Sequence, residues 1–70
     1  MIIDIRDTNE WRKNGIKGST CIPEPHLKDN IDFLNTFESV IFVCSTGLKA
    51  RIAAVKYMDL IEGNVTFKKI

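Results

Sequence analysis

The stretch that most restricts how this chain can fold is Val40-Ile41-Phe42-Val43-Cys44-Ser45-Thr46-Gly47-Leu48-Lys49-Ala50-Arg51, an apolar run that ends on a cysteine and opens into a small, basic loop. Val40 to Val43 is β-branched and aromatic with no polar alternation, the pattern of a short strand buried on both faces. Beyond Gly47 the spacing is helical. Leu48, Ile52, Val55, Met58 and Ile61 are predicted to form one apolar stripe, with Lys49, Arg51, Lys56, Asp59 and Glu62 elsewhere around the helix. A strand that runs almost directly into a helix leaves Cys44 beside unpaired backbone N–H groups and the positive end of the helix dipole, surroundings that favour negative charge on sulfur. Gly47 permits the tight path that aims several of those groups at one point.

The remaining elements alternate in type. Ile2-Ile3-Asp4-Ile5 reads as a first strand, and Asp7 or Thr8 caps a short helix through Asn9–Lys13 that Asn14-Gly15 ends. Thr20-Cys21-Ile22 reads as a second strand, stopped by Pro23 and Pro25. Leu27, Ile31, Leu34 and Phe37 predict a helix over 27–37. Gly63-Asn64 ends the last helix, and Val65-Thr66-Phe67 forms a final strand ahead of a solvated Lys68-Lys69-Ile70 tail. This order predicts an α/β fold with a mostly parallel sheet, in which ligands sit at the carboxyl ends of the strands. Cys44 occupies such an end.

Composition narrows the chemistry. Seventy residues predict one domain over residues 1–70, close to the size at which a single core is only just stable. The 44% apolar and 27% charged fractions are those of a folded globular chain, and a formal charge of +1 gives no reason to expect nucleic acid or a membrane surface as partner. No leader pattern and no apolar run of about 20 residues is visible, so a cytoplasmic protein is expected. Cys21 and Cys44 are too few for a disulfide framework and belong to no Cys/His cluster, so no metal is expected. They are a reactive thiol, two inert core thiols, or a reversible pair. No general base lies close in sequence to Cys44, which suits chemistry that needs only a nucleophilic sulfur. Asp4 and Arg6 read as residues that tie the first strand to its loops, Trp11 as packing, and His26 as a solvated loop residue.

At these residues the sequence resembles the rhodanese-like family, single-domain sulfurtransferases that carry a persulfide on a loop cysteine. Ile3-Asp4-Ile5-Arg6 is similar to the family's opening strand and Asp-x-Arg signature, and Glu10-Trp11 to its acidic-aromatic pair. Ile16, Gly18 and Ile22-Pro23 fall in its Gly-His-Ile-x-Gly-Ala-x-x-Ile-Pro run. Cys44-Ser45-Thr46-Gly47-Leu48-Lys49 corresponds to the six-residue active loop, usually Cys-Arg-Ser-Gly-x-Arg, and Ala53-Ala54 to the small residues of the next helix. The departures are Asn14 and Gly15 for the family's Gly-His, Ser45 for the second loop residue, Lys49 for the last Arg and Ala50 for the Ser after it. Lys49 keeps a charge but lacks the planar fork that grips an oxyanion.

The resemblance implies a small three-layer fold, shortened at its C-terminal end, with Cys44 as catalytic nucleophile. It implies that Ser45, Thr46, Gly47, Leu48 and Lys49 bind a small sulfur-containing anion such as thiosulfate, or a protein sulfur donor. The acceptor it implies is a protein or small-molecule thiol or a cyanide-like nucleophile, with no metal and no cofactor. Cys21 stands as a candidate resolving thiol. Related phosphatases have a loop one residue longer with Arg after five intervening residues, a position held here by Ala50, so sulfur transfer is favoured over phosphoryl transfer. Two other expectations stay open: a non-catalytic binding module with the same fold, and a thiol redox switch using Cys21 and Cys44.

Overall fold

The computed structural model describes residues 1–70. Four strands, β1 (Ile2–Asp4), β2 (Thr20–Cys21), β3 (Ser39–Cys44) and β4 (Asn64–Lys69), form one sheet in the order β2-β1-β3-β4. Every neighbouring pair is parallel. Three α-helices accompany them: α1 (Thr8–Asn14), α2 (Ile31–Leu34) and α3 (Leu48–Tyr57). The chain steps from β1 to β2 in one direction across the sheet and from β3 to β4 in the other. Right-handed crossovers therefore place α1 and α3 on opposite faces.

Register explains which side chains form the core. Ile3 is opposite Phe42 and Val40 is opposite Val65, so these residues share the face covered by α3. On that face Ile3, Ile5, Val40, Phe42 and Cys44 pack with Leu27, Leu34 and the α3 residues Ala50, Ala53, Ala54 and Tyr57. Full burial of each large side chain here, such as Phe42 or Leu27, contributes roughly 1.5–3 kcal/mol. The other face carries Asp4 and Val43, and α1 buries no residue of its own. The core is one-sided.

Three expectations change. The helix predicted over 27–37 is a 3₁₀ helix, Glu24–Asp29, followed by the single turn of α2. Asn30 divides them because its side-chain amide donates to the His26 carbonyl, an acceptor that a continuous helix would need. Leu27 and Leu34 are nevertheless fully buried, as their spacing predicts. Lys68 and Lys69 belong to β4, paired with Val43 and Cys44, and are not a tail.

The third change concerns α3, which ends at Tyr57 instead of running on to Gly63-Asn64, where Asn64 opens β4. Its predicted core stripe faces outward, with Leu48, Ile52, Val55 and Met58 each 56–63% exposed and only Ile61 buried. The helix packs through Ala50, Ala53, Ala54 and Tyr57, which lie roughly 180° around it. Small side chains let the helix approach the sheet closely enough to start directly after β3, which a face of Leu, Ile and Val would prevent.

Candidate functional site

β1 and β3 are adjacent, and the chain leaves them toward opposite faces of the sheet. Their carboxyl ends therefore flank the crevice that forms wherever connection direction reverses. A cleft of about 800 Å³ opens there. One side is Cys44, Ser45, Thr46, Leu48, Lys49, Ile52 and Ala53; the other is Ile5, Arg6, Asp7 and Glu10 with Pro23-Glu24-Pro25.

Cys44 is the last residue of β3 and is 3% exposed, its sulfur lying at the base of the loop. The Gly47 N–H donates to Cys44 Sγ at 3.2 Å and the Ala50 N–H at 3.3 Å. These are donors that the start of α3 cannot satisfy within the helix, and the loop wraps until they meet the sulfur instead. The wrap depends on Gly47, whose φ of +82° is the left-handed conformation that other residues adopt at a cost. Beyond it Thr46 Oγ1 accepts from the Leu48 N–H at 3.2 Å. The backbone N–H groups of Ser45, Thr46 and Lys49 make no hydrogen bond within the protein. The loop is braced from the far side by β4: Ile70 N–H donates to the Cys44 carbonyl, and the Lys69 backbone packs against Gly47.

The opposite wall is held by charge. Asp4 is fully buried, and Arg6 grips it through Nη2 at 2.9 Å and Nε at 3.1 and 3.2 Å, while the Arg6 N–H donates to Asp4 Oδ1 at 3.0 Å. Arg6 Nη1 donates to Asn14 Oδ1 at 2.8 Å, tying β1 to the end of α1. The Asp4 hydrogen bond raises the guanidinium pKa further above its ordinary value, so Arg6 stays charged. Asp7 caps α1 by accepting from the Glu10 N–H at 2.8 Å. Gly15 has a close neighbour as well: a Cβ there would overlap the Trp11 ring, so this chain has no room for the family's histidine at that position. Trp11 in turn donates to Ser19 Oγ.

Of the residues singled out from sequence, Cys44, Ser45, Thr46, Leu48 and Lys49 come together around the cleft, and Gly47 lies buried beneath them as a donor. Cys21 does not join them. It is opposite Asp4, which is opposite Val43, so β1 stands between the two cysteines. Two strand spacings are about 9.6 Å, whereas a disulfide needs Cα atoms within about 7 Å. Cys21 also shares the face of Val43, so Cys44, the next residue along β3, points the other way. The pairing weighed as a redox switch or resolving step is closed to this fold. Cys21 instead donates its thiol to the Arg6 carbonyl, and burial raises its pKa above the ordinary thiol value. Among the cleft residues that sequence reasoning left aside are Ile5, Asp7, Arg6, Glu10, Glu24, Ile52 and Ala53. The signal for the first two was the rule on strand ends already applied to Cys44. No group of three or more His, Cys, Asp or Glu side chains has metal-ligating geometry, and no helix is long and apolar enough to cross a membrane.

Comparison with known proteins agrees with this geometry. No curated protein matches the chain. Among solved structures, a Staphylococcus saprophyticus protein, SSP1007, is 25% identical with a TM-score of 0.82, over 97% of this chain and 67% of that one. The reduced form of Bacillus anthracis CoADR-RHD is 29% identical with a TM-score of 0.82, over 94% of this chain and 12% of that one. The family model for the rhodanese-like domain matches residues 1–67. With a parallel sheet, a cysteine at the end of β3 and a loop that turns its N–H groups onto the sulfur, this chain belongs to the rhodanese-like domain family.

Proposed function

We propose that the chain is a sulfurtransferase or sulfur carrier that works through a persulfide on Cys44. The observation that carries this reading is the pair of backbone N–H groups, from Gly47 and Ala50, directed at Cys44 Sγ at the floor of an open cleft. Such donors stabilise negative charge on Sγ in the thiolate, before loading and again once the sulfur has been passed on. In the first step the Cys44 thiolate attacks the outer sulfur of a sulfane donor. With thiosulfate, the S–S bond breaks, sulfite leaves with the electron pair, and Cys44 becomes a persulfide anion. In the second step an acceptor thiolate attacks the outer sulfur, Cys44 leaves as thiolate, and the acceptor carries the persulfide. No proton relay is required, which suits a cleft with no histidine in its walls. The N–H groups of Ser45, Thr46 and Lys49 supply donors for the outer sulfur, and Lys49 adds positive charge for the anionic end of the donor.

Intact mass after incubation with thiosulfate, or with a small organic persulfide, tests the reading. The wild type and Cys21→Ser gain one sulfur and Cys44→Ser gains none. If the wild type stays unmodified with both donors, or Cys44→Ser takes up as much sulfur, the sulfur-transfer reading falls and the fold is left as a non-catalytic binding module.

A further inference from the structure

We propose that the outer face of α3 is a docking surface for a protein partner whose contact surface is apolar and acidic, and that docking there sets the partner against the mouth of the Cys44 cleft. The apolar ridge on this helix is Leu48, Ile52 and Val55, extended by Met58, all more than half exposed. Helical geometry places Arg51 along one side of the ridge and Lys49 and Lys56 along the other. α3 contains these three basic residues and no acidic one, so the charges flanking Leu48, Ile52 and Val55 on the helix are all positive, and the first acidic residue beyond it is Asp59, after Met58. Leu48, Arg51, Ile52, Val55 and Lys56 line a shallow depression of their own on this surface.

Two observations set the occupant. The single sign of charge calls for carboxylates around an apolar contact, and a second copy of the same basic face would meet like charge instead. The ridge is also continuous with the cleft, since Leu48 and Ile52 line both. A protein seated on the ridge therefore has its edge beside Cys44, where a sulfur donor or acceptor must arrive. A lipid surface would gain nothing from that continuity. What the partner exchanges rests on the sulfur-transfer reading; the docking itself does not.

The test uses three cysteine-free synthetic helical peptides: a Leu/Ile ridge flanked by Glu, the same ridge flanked by Lys, and a Ser ridge flanked by Glu. Backbone amide NMR shifts of the full chain are followed on titration. The Glu-flanked apolar peptide is expected to shift amides of residues 48–58, and the other two to bind at least tenfold more weakly. Val55→Asp and Lys56→Glu each weaken the first peptide, while both keep the native amide spectrum elsewhere and load sulfur on Cys44 at the wild-type rate. Equal binding of the Lys-flanked peptide, shifts confined to another surface, or affinity unchanged by Val55→Asp overturns the proposal. So does a concentration-dependent dimer in sedimentation that Val55→Asp abolishes, or tighter binding to phosphatidylserine-containing vesicles through the same residues. Because the peptides have no thiol, a chain that takes up no sulfur can still pass this test, and a chain that binds none of them can still form the persulfide.

Discussion

The two strand ends that form the cleft are fastened by different means. At the end of β1 a fully buried carboxylate is held by a guanidinium through several side-chain contacts, and the same guanidinium reaches on to Asn14. At the end of β3 a sulfur is held by backbone N–H groups that come with the turn itself. The first arrangement depends on exact residue identity, because removing either member strands the other. The second depends on the path of the chain, so the side chains at Ser45 and Lys49 are free to differ from those usual in the family while the sulfur keeps its donors. The contrast bears on Asp4, Arg6, Ser45 and Lys49; the departures at Asn14, Gly15 and the buried Ala50 lie outside it. Asp4 and Arg6 match the signature, whereas the loop departs at exposed positions and keeps its glycine.

Breaking the β1 end is expected to have the largest effect. Asp4→Ala leaves Arg6 largely buried without its partner and costs about 3–5 kcal/mol, much of what a chain of this size has. Urea denaturation should find it largely unfolded at room temperature. A loss under 1 kcal/mol would show that Arg6 escapes to water and that the ends are less different than the contacts indicate. At the β3 end, Gly47→Ala forces a left-handed conformation worth about 1–2 kcal/mol, while its methyl group would meet Lys69 only at ordinary contact distance. Its stability loss should be accompanied by slower persulfide formation, since the Gly47 N–H moves off the sulfur. Unchanged formation would separate the turn from the site.

A smaller effect is expected at Lys49, which is exposed. Its contact with an anion is worth up to about 1 kcal/mol, so Lys49→Ala should slow loading from thiosulfate by about fivefold at most and leave loading from an uncharged donor unchanged. A far larger drop would mean that side-chain charge matters at β3 as it does at β1. The smallest effect concerns Cys21. Burial raises its pKa in the folded chain, so the unfolded chain loses the thiol proton first. Its contribution to stability is complete below the ordinary thiol range and declines as pH rises through that range. In Cys44→Ser, alkylation of Cys21 against pH should have a midpoint above that of the unfolded chain. A midpoint at or below it would contradict the burial.

Much of the fold was legible in the sequence because its signals were unambiguous. Val40–Val43 is a short, β-branched and aromatic run that reads as a buried strand, and of the two caps read for α1, Asp7 or Thr8, Asp7 is the one that accepts from Glu10. Boundaries were harder wherever a side chain competes with the backbone, as Asn30 does between the 3₁₀ helix and α2. The site divided in the same way. Cys44 and its loop form a contiguous stretch and could be read directly. Arg6, Glu10 and Glu24 join them only through strand order, which local patterns do not encode.

The helix α3 shows the limit most plainly. Taken alone, its sequence has two apolar faces, a large one through Leu48, Ile52 and Val55 and a small one through Ala50, Ala53 and Ala54. Periodicity picks out the larger, because area is what hydrophobic patterning measures. Only the tertiary structure chose the smaller, since a helix that must begin at the end of β3 and give its Ala50 N–H to Cys44 lies too close to the sheet for larger side chains. The sequence alone determined a thiol at a strand-to-helix junction in a parallel α/β fold. The packing of the whole chain decided that Cys21 lies beyond reach, which residues form the other wall of the cleft, and that a basic, apolar ridge stays in solvent beside Cys44.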